Sequence, residues 1–212
     1  MELFYGNGTS YLKTFPLYTD APNGNFNQRS WQDFGSVRFV SVKTNGNAAS
    51  TNTTSNFYGS SFTLDGSGDY ISSPYNADFN FGAGDFTVEA WINTTQSGAY
   101  ATTVGRWTSS AGTGVFDLRG VSADYGNRFV FMTREDGGSN TFKPVDSGRN
   151  VNDGNWHHIA ASREGSTLRL FVDGVLVKTE SYGHTINTST STGLRIGYGD
   201  SSNYMDGEVQ DV

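Results

Sequence analysis

The chain has 212 residues, a formal net charge of −7, no cysteine, 27 glycines, and 14 % aromatic residues against only 17 % charged ones. The acidic balance argues against nucleic acid or an anionic membrane as a partner, and the missing cysteine excludes disulfides, a thiol nucleophile and a thiolate zinc site. Glycine and aromatics in this proportion suit many short strands joined by tight turns, at a length that one all-β domain can fill.

In chain order, the opening "MELFYGNGTSYLKTFPLYTD" has its apolar residues broken by Gly6, Asn7, Gly8 and Thr9 with no basic cluster before them, so it does not read as a secretory leader. No segment approaches the ~18 continuous apolar residues of a membrane span, and no membrane insertion is expected. Phe4, Tyr5, Tyr11, Phe15, Tyr18, Phe26, Trp31 and Phe34 are scattered without strand or helix periodicity. Residues 1–35 are therefore expected to form an irregular aromatic-rich arm, packed on the domain behind it or on a neighbouring subunit. Residues 36–212 are expected to form one β-sandwich.

From "SVRFVSVK" onward strand and turn alternate, and "TNGNAASTNTTSN" (44–56), polar and low in complexity, reads as a surface loop. "FTVEAWI" (86–92) places Phe86, Val88, Ala90 and Ile92 on one face and Thr87, Glu89 and Trp91 on the other. "RFVFMTR" (128–134) is apolar on both faces, as a central strand covered on both sides would be. In "TLRLFVDG", Leu168, Leu170 and Val172 share a face, and Asp173-Gly174 supplies a two-residue turn with positive φ at both positions. Glu164-Gly165 is expected to turn the preceding corner, and "GLRIGYG" and "MDGEVQDV" read as the last two strands. No segment carries a long helical stripe. The sum predicts an all-β, two-sheet antiparallel sandwich or jelly roll.

"NDGNWHHIAASREG" holds two of the three histidines side by side, close to Asp153 and Glu164. Adjacent strand residues project to opposite faces and cannot converge on one ion, so His157 and His158 are expected to be structural.

The order of "SFTLDGSGDYI" (61–71), "DFTVEAWI" (85–92), "NWHHIAASREGSTLRLFVDGVLV" (155–177), "LRIGYG" (194–199) and "DGEVQDV" (206–212) resembles the laminin-G-like modules of the concanavalin A-like lectin/glucanase superfamily. The resemblance implies a jelly roll with one curved sheet and makes Trp-His-His the start of a core strand. Family members usually continue the last strand beyond the point matching Val212, so that strand is expected to be short or completed from elsewhere. Family members also often hold one structural calcium. By motif position Asp211 is the matching carboxylate, and the loop around Asn45, Gly46 and Asn47 would offer carbonyl oxygens, donors that suit calcium. Gln210 stands where many relatives have another Asp, and Asp65 and Asp69 are expected to shape their turn.

Glucanases of that superfamily carry Glu-x-Asp-x-Glu on one strand face, and this chain has no such triplet. Glu89 stands alone, Glu135 and Asp136 are adjacent at a turn, and neither a G-x-S-x-G elbow nor a phosphate loop is present. No enzymatic activity is expected. Tyr100, Arg106 and Trp107, Tyr125 and Asn127, and Tyr198, Asp200 and Tyr204 mix aromatic rings with polar groups on the loop rim and curved face, the chemistry of sugar recognition. The reading is a recognition or assembly module that contacts glycans or neighbouring subunits, as a homo-oligomer or part of a larger assembly. The Cys-free, Asn/Gly/Ser/Thr-rich composition suggests a virion component, such as a phage tail-fibre, receptor-binding or capsid-decoration protein, folded in the host cytoplasm and acting outside it. The alternatives are a carbohydrate-binding module of a cell-surface or secreted protein and, further off, a glycoside hydrolase.

Overall fold

Alternation and turn chemistry resolve into fourteen strands in the computed structural model, which describes residues 42–108, 113–137, 141–201 and 203–212. The arm expected over residues 1–35 lies outside the described residues. The strands are β1 (Lys43–Asn45), β2 (Ala49–Thr51), β3 (Ser61–Asp65), β4 (Tyr70–Ser72), β5 (Phe86–Asn93), β6 (Tyr100–Arg106), β7 (Phe116–Ser122), β8 (Arg128–Arg134), β9 (Phe142–Asn150), β10 (Trp156–Glu164), β11 (Thr167–Val172), β12 (Val175–Ser181), β13 (Arg195–Ile196) and β14 (Asp206–Gln210). Among the described residues helix is confined to two short 3₁₀ turns, Ala77–Phe79 and Ala123–Tyr125.

The strands form two seven-stranded antiparallel sheets, ordered β1-β4-β13-β6-β7-β8-β9 and β12-β11-β10-β5-β14-β3-β2. Their facing surfaces make the core, with Ile71, Val104, Leu118, Phe129, Phe131 and Ile196 of the first sheet against Leu64, Ile92, Ile159, Leu168, Leu170 and Val209 of the second. Gly120 lets the sheets approach closely, since a Cβ there would lie 2.6 Å from Cδ1 of Ile92. The result is the expected jelly-roll sandwich.

Local expectations translate directly where a physical signal was present. In β5, Ala90 and Ile92 are buried and Phe86 and Val88 pack against the core. Asp173 and Gly174 have φ of 53° and 75° and close the β11–β12 hairpin. The Trp-His-His segment opens β10, where His157 pairs with core Ile92 and His158 with Trp91, on opposite faces of the sheet. His158 meets Glu89 at 3.4 Å, which makes that lone strand glutamate an ion-pair partner. Residues 44–56 differ from the loop that was expected, because they include part of β1 and all of β2. These three-residue edge strands are defined by backbone pairing to β4 and β3, a property that leaves no apolar period to read.

Candidate functional site

The outer face of the first sheet is where polar chemistry collects. In β7 the run Phe116 to Arg119 alternates, so Phe116 and Leu118 enter the core while Asp117 and Arg119 point away from it. The register then lays out rows across this face: Arg195, Gly105, Asp117, Met132 and Pro144 in one, and Thr102, Arg119, Val130 and Asp146 in the next. Val130 and Met132 are buried although neither joins the core cluster, so this outer face is sheltered from solvent.

Asp117 is fully buried. Its Oδ2 accepts from Arg119 Nε at 3.0 Å and Nη2 at 2.5 Å, and from the Thr102 hydroxyl at 3.2 Å. Among the described residues its Oδ1 has no hydrogen-bond partner. The neighbouring position is Gly105, where a Cβ would stand 3.4 Å from Oδ1. The backbone of Gly199 closes in from the other side, since a Cβ there would lie 2.4 Å from the Thr102 hydroxyl. Gly199 ties this carboxylate to an aromatic group: Tyr198 stacks on Tyr204 at 4.5 Å and 15°, Tyr70 lies 5.0 Å from Tyr198, and the Arg195 guanidinium sits 4.9 Å from the Tyr198 ring while donating to the Gly199 carbonyl. On the far side Arg119 lies 5.0 Å from the Tyr100 ring, whose hydroxyl donates to Asp124 at 2.5 Å. That hydrogen bond raises the Tyr100 pKa, and burial raises that of Tyr198.

The residues singled out in the sequence divide in two. Tyr198, Tyr204 and Tyr100 flank the Asp117–Arg119 pair, and the Asp200 backbone carbonyl closes the turn between the stacked rings by accepting the Asn203 N–H. Asn127, at φ 64°, uses its side-chain oxygen to accept the Gly98 N–H, and the Tyr125 carbonyl accepts from Arg128. Arg106 is not a surface group: it is fully buried and donates to the carbonyls of Phe79, Ser189 and Thr192 and to the Asn80 side chain, pinning two loops. Trp107 is buried at the other end of the face, against Arg134 and Phe142. The reading missed Asp117, Arg119, Tyr70, Arg195 and Arg134. An acid and an arginine two apart inside the apolar strand "VFDLRGV" were the available signal.

The two predicted calcium ligands do not meet. Asn45 pairs with Tyr70, its amide donates to Ser72, and the following Asn47 N–H is held by Asp69, which also accepts from Asp65. This turn lies at the Asp65–Asp206 end of the β3–β14 pair, whereas Asp211 lies beyond the Val209–Phe62 end, roughly 13–17 Å away by strand rise. Gln210, in place of the relatives' Asp, holds the 56–60 loop through the Phe57 and Ser60 carbonyls and the Asn56 N–H. Among the described residues no group of three or more His, Asp or Glu side chains is arranged to hold a metal ion. Asn45 and Asp211 therefore do not fit one shared calcium.

Fold and face together define a two-sheet jelly roll of lectin type. A model of the Concanavalin A-like lectin/glucanases superfamily matches residues 65–212, and the chain belongs to that superfamily. Comparison with curated proteins found no match. Among solved structures, domain 4 of AbnA, an extracellular GH43 arabinanase from Geobacillus stearothermophilus solved with arabinotriose, superposes with a TM-score of 0.62 at 16 % identity, covering 81 % of this chain and 79 % of that one. The binding domain of Paraclostridial Mosquitocidal Protein 1 gives 0.60 at 11 % identity over 85 % of this chain, and a putative carbohydrate binding protein from Bacteroides ovatus gives 0.52 at 21 % over 68 %. This chain spans 47 % and 40 % of those two structures.

Proposed function

We propose that this sandwich is a non-catalytic carbohydrate-recognition module whose binding surface is the outer face of the first sheet. The observation that carries the reading is Asp117 Oδ1, a buried carboxylate oxygen with no donor among the described residues, beside a glycine and next to stacked tyrosines. Leaving such an oxygen without a donor costs about 1–3 kcal/mol or more. A sugar supplies what is missing: hydroxyl donors for the carboxylate, and an apolar ring face for Tyr198 and Tyr204. The arabinotriose bound by one structural neighbour and the description of another as a putative carbohydrate binding protein support the same reading.

Hydrolysis is the weaker alternative. Asp117 is tied to Arg119, and Asp146 to Arg128 at 3.1 Å. From the strand spacing and register the Cα atoms of these acids lie about 12 Å apart, and each carboxylate has a guanidinium against it rather than a facing acid at the ~5–9.5 Å that glycoside hydrolysis uses.

As to setting, the composition favours a virion protein, while two longer structural neighbours and a domain of an extracellular arabinanase favour a module of a larger cell-surface or secreted protein. Mass spectrometry of purified particles from the source separates them, since absence from particles removes the virion reading. The function itself is tested on a glycan array, with circular dichroism verifying the fold. Saturable binding to one glycan class, lost in Tyr198→Ala/Tyr204→Ala, is expected. A folded chain that binds no glycan contradicts the proposal and leaves contact with neighbouring subunits as the working role.

A further inference from the structure

A second uncompensated group lies on the same face. Arg134 ends β8, two residues beyond Met132, which puts it about 7 Å along the strand from the row that contains Asp117. Its side chain is 1 % exposed. Nη2 donates to the Thr108 carbonyl at 3.3 Å, but among the described residues Nε and Nη1 have no acceptor, which leaves a buried cation with open N–H donors. The adjacent acid, Glu135, is paired with Lys143 at 3.1 Å. Burial pulls the Arg134 pKa down.

The surroundings are shaped for an approach to the edge of the guanidinium. Phe142 and Trp107 lie 4.6 and 5.3 Å from its central carbon, as ring partners of the cation. At the Nε edge stands Gly114, where a Cβ would be only 3.2 Å from Nε. The same Cβ would lie 3.1 Å from the Thr108 carbonyl oxygen and 3.2 Å from Trp107, so only a residue without a side chain fits against this edge. Phe142 is 45 % exposed, and rotation of such a surface side chain takes place in picoseconds to nanoseconds, so the wall it forms beside the guanidinium is movable. Of the other basic groups of the face, Arg119 is paired with Asp117 and Arg128 with Asp146, while Arg195 donates to the Gly199 carbonyl beside the Tyr198 ring. Burying a charge without a partner is unfavourable, and the planar fork of arginine matches a planar carboxylate.

We infer that Arg134, walled by Trp107 and Phe142, is an anion subsite of this face and that the glycan it takes carries a carboxylate, as a uronic acid does. This rests on the glycan-binding reading and makes its ligand class specific. The chain's net charge of −7 would repel an acidic polymer at long range, so recognition has to come from this local cation and not from the overall field.

The test is a titration of the full chain with oligogalacturonate, oligoglucuronate and oligomannuronate, each beside its carboxyl-reduced neutral form and a sulfated neutral form. At least one uronide is expected to bind about ten-fold or more tightly than its reduced form, the scale of a hydrogen-bonded charge. Arg134→Gln should abolish that preference. Gly114→Ala, which sets a methyl 3.2 Å from Nε and keeps the arginine, should erode the same acid-to-neutral ratio, so the test survives if Arg134→Gln does not fold. Neutral sugars bound as well as uronides, a preference that persists in Arg134→Gln, or sulfated forms bound more tightly than uronides would each overturn the inference while leaving glycan recognition standing. Silence of the folded chain across the whole panel would overturn both.

Discussion

The two outer faces of this sandwich are built on different terms. On the second sheet, polar side chains answer one another near water: Glu89 with His158 at 3.4 Å, Thr87 with Ser162 at 3.1 Å, Arg169 with Glu164 at 3.1 Å, and Lys178 with Glu180 at 3.2 Å. On the first sheet, Asp117 and Arg134 are buried and each keeps polar atoms that nothing among the described residues satisfies. A face paired with itself needs only solvent. A face that shelters unmet donors and acceptors, with aromatic rings beside them, is the one on which the proposed glycan would meet them.

The largest test of that contrast is stability. Asp117→Ala leaves Arg119 buried without its acid and should destabilise the fold by about 3–5 kcal/mol in urea unfolding, while Glu89→Ala on the second sheet should cost at most about 1 kcal/mol. Equal losses would erase the distinction between the faces. Next in size, Tyr198→Ala should weaken glycan binding about five- to ten-fold through loss of roughly 1 kcal/mol of ring contact, with an unchanged circular dichroism spectrum. Unchanged affinity would remove the stacked pair from the site.

A subtler prediction concerns His157, whose two ring nitrogens face Asp173 at 2.8 Å and Asp153 at 3.0 Å. Burial lowers its pKa, but the hydrogen bonds and charges of Asp173 and Asp153 together outweigh this and raise it above the usual value. Asp153 is correspondingly depressed to about 2, chiefly by the Asn155 backbone N–H and side chain and then by His157. A raised folded pKa means that the stabilising contribution is complete below the unfolded value of about 6.5 and is lost as pH climbs through the folded one. The difference in urea midpoint between the native chain and His157→Gln should therefore shrink on going from mildly acidic to mildly alkaline pH, a contrast that cancels the opposite contribution of His184, whose pKa burial lowers. A difference that grows over the same range would show that the imidazole is neutral in the fold. Smallest of all, Gly174→Ala forces a Cβ into φ 75° at an open turn and should cost about 1 kcal/mol, seen as a slightly lower melting temperature.

How much of this was legible in the sequence follows from which physical signals it carries. Period-two alternation in "FTVEAWI" and the Asp173-Gly174 pair specify strand face and turn locally, so β5 and the β11–β12 hairpin could be read from the text. Strands β1 and β2 could not, because edge pairing imposes no pattern on three polar residues. For the site, Tyr198 and Tyr204 were found because aromatics beside Asn, Asp and Gly stand out, but their stacking needs the turn that the Asp200 carbonyl closes. Arg106 misled because an arginine beside a tryptophan looks the same whether it faces solvent or, as here, four loop acceptors inside. Asp117 and Arg134 went unread because their significance is an unmet hydrogen bond, and that exists only once the strands on either side are in register.

The central claim is that a glycan occupies the outer face of the first sheet, and amide chemical-shift mapping during titration with the glycan class that binds on the array tests it most directly. The account predicts shifts concentrated in β6, β7, β8, β13 and residues 198–204, with the largest near Asp117 and Tyr198. Shifts confined to the second sheet, around Glu89, His158 and Arg169, would contradict it, as would a folded chain that no glycan perturbs.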